Sequence, residues 1–151
     1  MEHIDREKAQ RVWQRVQAQQ NVSLAPQRPG LATSPEGLVL EELTDHLLLQ
    51  QLAQQRKDNA ALRQLGQQAL ERADVLRGIC ALSALTPPAR LPRPTRQDNI
   101  PAALRRLMGR LLRRRAEYER LCTHEEFGPL YHRLMEQTTD SAISLAVLIG
   151  K

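Results

Sequence analysis

Residues 38–53 read LVLEELTDHLLLQQLA, and residues 107–122 read LMGRLLRRRAEYERLC. Laid against each other at an offset of 69 residues, they place Leu38 on Leu107, Leu43 on Leu112, Leu49 on Tyr118 and Leu52 on Leu121. The register continues without a gap, with Leu65 on Leu134, Ala73 on Ala142, Leu76 on Leu145 and Ile79 on Leu148. Within each stretch apolar residues recur three and four positions apart, the spacing of one helix face rather than the alternation of a strand. Two explanations remain open: two copies of one αα-hairpin, or two amphipathic hairpins that share only periodicity. Both predict an all-α chain.

The flanking residues punctuate these helices. Ser34 followed by Pro35 supplies an N-cap hydroxyl and a first helical residue that needs no backbone donor. A turn near Lys57-Asp58-Asn59 separates the first helix from one over about Ala60 to Leu85. A third helix is expected from about Ala102 to Cys122. Thr123-x-x-Glu126 has the spacing of a capping box ahead of a last helix from about Pro129 to Ile149. Upstream, Asp5 can cap a short leader helix through Val12, Trp13 and Val16, and Asn21 to Ser34 reads as a linker containing Pro26, Pro29 and Gly30. The expected organisation is a leader and linker over residues 1–34 and a bundle over 35–151, with a connection at 86–101.

That connection carries Pro87, Pro88, Pro92, Pro94 and, at its end, Pro101. Proline at this density removes backbone donors and favours extended chain, so residues 86–99 can reach about 43 Å at ~3.1 Å per residue. Helices of 20–26 residues are about 30–40 Å long. The connection can therefore run the whole length of a bundle. One long crossover of this kind distinguishes ferritin-like folds from up-and-down bundles with short turns.

Composition agrees with helix and narrows the function classes. Of 151 residues 41% are hydrophobic but only 3% aromatic. The two cysteines, Cys80 and Cys122, form no Cys-x-x-Cys pair, which leaves a disulfide scaffold, a zinc ribbon and a rubredoxin-type site unsupported. The first residues are charged and carry no signal-peptide apolar region, and no apolar run reaches the 18 or so residues of a membrane span. A cytoplasmic protein with no membrane span is expected.

Beyond the helices themselves, Ile4-Asp5-Arg6-Glu7-Lys8-Ala9 with Arg11-Val12-Trp13-Gln14-Arg15-Val16 looks like a short leader. Ala116-Glu117-Tyr118-Glu119-Arg120-Leu121 through Phe127-Gly128-Pro129-Leu130 looks like a third-to-fourth helix junction. With these segments the chain resembles small bacterial ferritin-like, rubrerythrin-related proteins over most of residues 38–150. The resemblance implies an antiparallel four-helix bundle in which each half supplies a lone Glu on one helix and a Glu-x-x-His on the next, enclosing a di-metal centre. Carried over by position, the lone Glu of the first half is Glu42, and its Glu-x-x-His falls on Ala69 and Arg72. The second half supplies Leu111, Thr138 and Ser141. One ligand of six survives. Alanine and leucine have no lone pair to offer, hydroxyls are poor neutral ligands, and Arg72 carries a permanent positive charge.

Several expectations follow for single residues. Glu42 is either a relic metal ligand, joined by His46 one turn later, or a carboxylate satisfied by a cation or hydroxyl. Arg72 is the obvious cation, with the Thr138 and Ser141 hydroxyls beside it. His124 and His132 read as surface histidines. Cys80 and Cys122 read as small apolar groups, with a redox thiol at Cys122 as the alternative. No activated nucleophile, phosphate-binding loop or zinc motif is present, so no catalytic residues are assigned.

Charge is concentrated in the third helix and the segment before it. Between residues 88 and 120 there are ten arginines against Asp98, Glu117 and Glu119, whereas the whole chain carries only +5. Arg105, Arg106, Arg110, Arg113 and Arg114 could bind an anion or nucleic acid, or could form a helix face solvated and matched by acidic neighbours. Three functions are thus expected in order. The first is a structural or interaction protein without a working di-iron centre and without cofactor. The second is a remnant metal-binding oxidoreductase holding iron or another divalent ion. The third is an anion-binding or nucleic-acid-binding module. A protein partner or a homo-oligomer is compatible with all three.

Overall fold

The structure is a computed structural model that describes Arg11 and residues 34–87 and 93–150. Its described residues contain four long α-helices and no strand: α1 (Pro35–Gln55), α2 (Ala60–Leu82), α3 (Ile100–Leu121) and α4 (Gly128–Ile149). The leader helix around Trp13 and residues 88–92 of the proline segment lie outside the described residues.

Local chemistry sets the ends of the helices. Ser34 Oγ accepts the Gly37 amide at 3.2 Å, with Pro35 opening α1. Asn59 and Asn99 cap α2 and α3 in the same way, accepting from Leu62 and Ala102 at 3.1 Å each. Lys57 and Asp58 turn the chain between α1 and α2 with φ of 54° and 56°. Helix α3 starts at Ile100, two residues earlier than its periodicity suggests, because Asn99 is the cap and Pro101 needs no donor in the first turn.

Two further expectations differ from the structure. Helix α2 stops at Leu82 rather than Leu85, because Ala84 takes the left-handed conformation at φ 56°. The Leu85 amide then reaches the Cys80 carbonyl at 2.8 Å and the Ala84 amide the Ala81 carbonyl at 3.3 Å, the two bonds of a Schellman motif. The Thr123–Glu126 capping box does not form. Thr123 instead donates back to the Arg120 carbonyl. The start of α4 is satisfied by His124, whose Nδ1 accepts the amides of Glu126 at 3.2 Å and Phe127 at 3.1 Å while its ring stacks on Phe127.

Helix α1 packs closely on α2 and α3 on α4, and the two hairpins meet through α2 with α4 and α1 with α3. The interior holds two apolar clusters. One gathers Leu52, Leu62, Leu104, Leu107 and Leu145; the other gathers Leu38, Leu76, Ile79, Tyr118, Tyr131 and Leu134. The buried polar stations fall at or near the boundary between the residues given to the two clusters: Glu42 and Asp45 on α1, Arg72 on α2, Arg114 on α3, Thr138 and Ser141 on α4. A charged layer thus separates two dry ones. No helix among the described residues is long and apolar enough to cross a membrane.

Candidate functional site

The charged layer is built from residues one helical turn apart. Glu42 and Asp45 are separated by three positions and so share the inward face of α1. Arg72 reaches them from α2 and Arg114 from α3, and all four side chains are almost entirely buried. Arg72 Nε donates to Glu42 Oε2 at 2.6 Å, and Arg72 Nη1 donates to Ser141 Oγ at 2.7 Å. Arg114 Nη1 donates to Glu42 Oε1, and Arg114 Nη2 donates to Asp45 Oδ2 at 2.5 Å. Ser141 Oγ in turn donates to Gln68 Oε1 at 2.7 Å. Half-exposed Arg110 closes the rim on Asp45 Oδ1, with Nη2 at 2.9 Å.

Charge balance makes this arrangement possible. An isolated carboxylate or guanidinium taken out of water costs several kcal/mol or more unless paired and hydrogen-bonded. Here two fully buried carboxylates face two fully buried guanidinium groups, and each Glu42 oxygen accepts a charged donor. Burial pulls the Arg114 guanidinium toward neutrality, but Glu42 and Asp45 outweigh it and hold the charge more firmly than usual. Tyr118 lies in the same field: burial and Glu42 push its phenol well up, against Arg114 and Arg72. Among the described residues its hydroxyl has no hydrogen-bond partner, and neither has Arg114 Nε.

The stations assigned to metal ligands are therefore occupied as follows. Glu42 and Arg72 bond directly, and Ser141 joins them. Ala69 and Leu111 are buried and apolar. Thr138 is buried too, but its hydroxyl donates to the Leu134 carbonyl of its own helix at 2.7 Å and takes no part in the network. His46 gives its Nδ1 to the Gly66 carbonyl at 2.7 Å, tying α1 to α2. Among the described residues no three of His, Cys, Asp and Glu gather closely enough to hold a metal ion. A guanidinium at the heart of the layer also repels a cation, so this donor set does not fit a di-metal centre.

The arginine stripe needs correcting residue by residue. Arg114 is not on the surface face at all. It is buried on two carboxylates of α1. Arg110 binds Asp45, and Arg113 binds Glu41 at 3.1 Å. Arg106 donates to Gln97 at 3.3 Å, and both Arg105 and Arg106 are exposed. The acidic neighbours of the stripe are on α1, across the hairpin interface.

Asp45 and Arg114 were not singled out from sequence as members of the interior. A signal for them was present, since each follows a ligand station, Glu42 or Leu111, by three residues, and the offset of 69 makes them counterparts of opposite charge. Neither cysteine is activated: burial pushes both thiols up, with Glu36 adding to it at Cys80 and Glu119 at Cys122. No family model, curated protein or solved structure matches the chain.

Proposed function

We propose that this chain is a ferritin-like scaffold whose di-metal layer has been replaced by a protein-only ion-pair network, and that it acts as a structural or interaction protein in the cytoplasm. One observation carries the proposal: Arg72, on a former ligand station, bonds to Glu42, the one ligand type retained. The guanidinium supplies the positive charge that a metal would bring, and Ser141 supports it from the other half.

The long crossover fits the same reading. Gln55, at the end of α1, exchanges hydrogen bonds with Gln97, just ahead of α3, at 2.9 and 3.2 Å. The start of α1 and the end of α2 share the other cluster, through Leu38 and Ile79. These two ends support a connection that would run the length of the bundle, from the Leu38 end of α1 to its Gln55 end. A partner, protein or second copy, is then recognised by the outer faces rather than by a chemical centre. Of its five candidate arginines, the anion-binding alternative keeps Arg105 and Arg106 outside carboxylate pairs among the described residues, and the oxidoreductase alternative keeps Glu42 of the six ligand stations.

Iron loading tests the proposal. Protein incubated with ferrous iron in air, desalted and analysed for metal is expected to retain none in stoichiometric amount and to leave oxygen consumption at the buffer rate. Two irons per chain, lost together on Glu42→Gln, would overturn it.

A further inference from the structure

The contacts that close the two hairpins on each other have an unusual numbering. Asp45 bonds to Arg114 and Arg72 bonds to Ser141, and in both pairs the partners lie 69 residues apart, the offset that superposes the two halves of the sequence. In a two-fold arrangement only residues at the axis meet their own counterparts. A pseudo-two-fold axis therefore passes through the charged layer, relating α1 to α3 and α2 to α4.

Many of the apolar stations do not tell one hairpin from the other, although Leu49 and Leu62 correspond to Tyr118 and Tyr131. Leu38 and Leu107, Leu65 and Leu134, and Leu76 and Leu145 are all buried leucines. The charged layer does tell them apart. Stacking two α1–α2 hairpins about this axis would bring Asp45 against Asp45 and Arg72 against Arg72, enclosing four carboxylates and two guanidinium groups. Stacking two α3–α4 hairpins would enclose two Arg114 guanidinium groups with no carboxylate, only the hydroxyls of Thr138 and Ser141. The unlike pairing alone balances, two against two.

We infer that the charged layer is a pairing code, by which the α1–α2 hairpin closes only on an α3–α4 hairpin, its own or that of a second copy of this chain. Uncompensated buried charge is among the most effective penalties against a wrong partner, while a matched buried pair adds little net stability over an apolar one. The code explains why an interior that could be leucine throughout keeps charge at its centre. Exchange between copies is sterically open, because residues 83–99 can span on the order of 50 Å when extended. The inference rests on the contact geometry and stands whether or not the ferritin-like reading does.

Two full-length variants test it. Asp45→Arg leaves one buried carboxylate among three guanidinium groups, and Arg114→Asp leaves one guanidinium among three carboxylates. Each alone is expected to melt on the order of 10 °C below the wild type. The double variant has the buried pair reversed, and half-exposed Arg110, which loses Asp45, can turn to solvent; it is expected to recover much of that loss as a monomer. The decisive sample is the two single variants unfolded, mixed and refolded together. In an exchanged dimer, the introduced arginine of one chain meets the introduced aspartate of the other in one bundle. In the second bundle the unaltered Asp45 meets the unaltered Arg114, so both interfaces balance. A helical species of twice the 17.2 kDa chain mass should appear. Native mass spectrometry distinguishes it from like pairs, because the substitutions shift the two chain masses in opposite directions. Single variants as stable as the wild type, or a double variant no better than either, would overturn the code. Recovery of the double variant without a mixed dimer would overturn its reach to a second copy.

Discussion

Glu42→Gln is the sharpest single perturbation of the charged layer. The substitution keeps the shape of the side chain and removes its charge, leaving Arg72 Nε and Arg114 Nη1 pointing at a neutral amide inside the protein. Each hydrogen bond to a charged group is worth about 1.5–3 kcal/mol. The two lost here agree with the roughly 3–5 kcal/mol typical of removing one partner from a buried pair. Within the roughly 5–15 kcal/mol that holds a domain of this size together, the loss is about a third to a half of a total of about 10 kcal/mol. Urea denaturation followed by far-UV circular dichroism should show the midpoint falling with an unchanged slope, and the thermal midpoint dropping on the order of 10 °C. The companion experiment replaces all four buried charges by apolar residues of similar volume, and should return a protein as stable as the wild type or more so. If Glu42→Gln lies within about 1 kcal/mol of the wild type, the layer is not closed to water in the way described, and the charge-balance reasoning fails with it.

Three further outcomes follow from other features. Tyr118→Phe removes a buried hydroxyl without a partner among the described residues, so it should be neutral or stabilising by about 1 kcal/mol at neutral pH. Because the folded protein holds that phenol protonated above its ordinary value, the native state binds more protons than the unfolded one above about pH 10. Wild-type stability should therefore decline there, and the phenylalanine variant should decline less, as read by denaturation at a series of alkaline pH values. Ala84→Gly relieves a left-handed alanine in the Schellman motif and should raise stability by about 0.5–1 kcal/mol, whereas Ala84→Val should lower it. Gly128→Ala would set a methyl group 2.5 Å from the Cys122 carbonyl oxygen, so a fall of at least about 1 kcal/mol is expected in the same assay.

Much of the backbone was legible in the chain itself. Ser34-Pro35 and the turn at Lys57-Asp58-Asn59 are local signals, and local chemistry decided those boundaries. The stop of α2 was not legible, since alanine gives no hint of a left-handed conformation. Nor was the start of α4, where the cap comes from the ring of His124, a residue read as an ordinary surface histidine. Within the layer, register placed Glu42, Arg72 and Ser141 on inward faces. The same register put Thr138 beside Arg72, yet its hydroxyl is spent on its own helix. Arg114 was harder to see for a physical reason. Among Arg113, Arg114 and Arg115, residue type does not mark which one turns inward. Spacing does, since Arg114 lies three residues after Leu111 and four before Tyr118 on the buried face, and the carboxylates of α1 satisfy it there.

An interior with ionic groups at mid-height responds to heating differently from one filled with leucine. Hydration of ions carries a strongly negative entropy, so the penalty for dehydrating Glu42, Asp45, Arg72 and Arg114 shrinks as temperature rises. An aliphatic replacement gains nothing comparable, because its stabilisation per unit area levels off. The advantage of an all-apolar centre should therefore be greatest in the cold and narrow steadily toward the melting range, which makes this layer a device better suited to warmth than to a refrigerator.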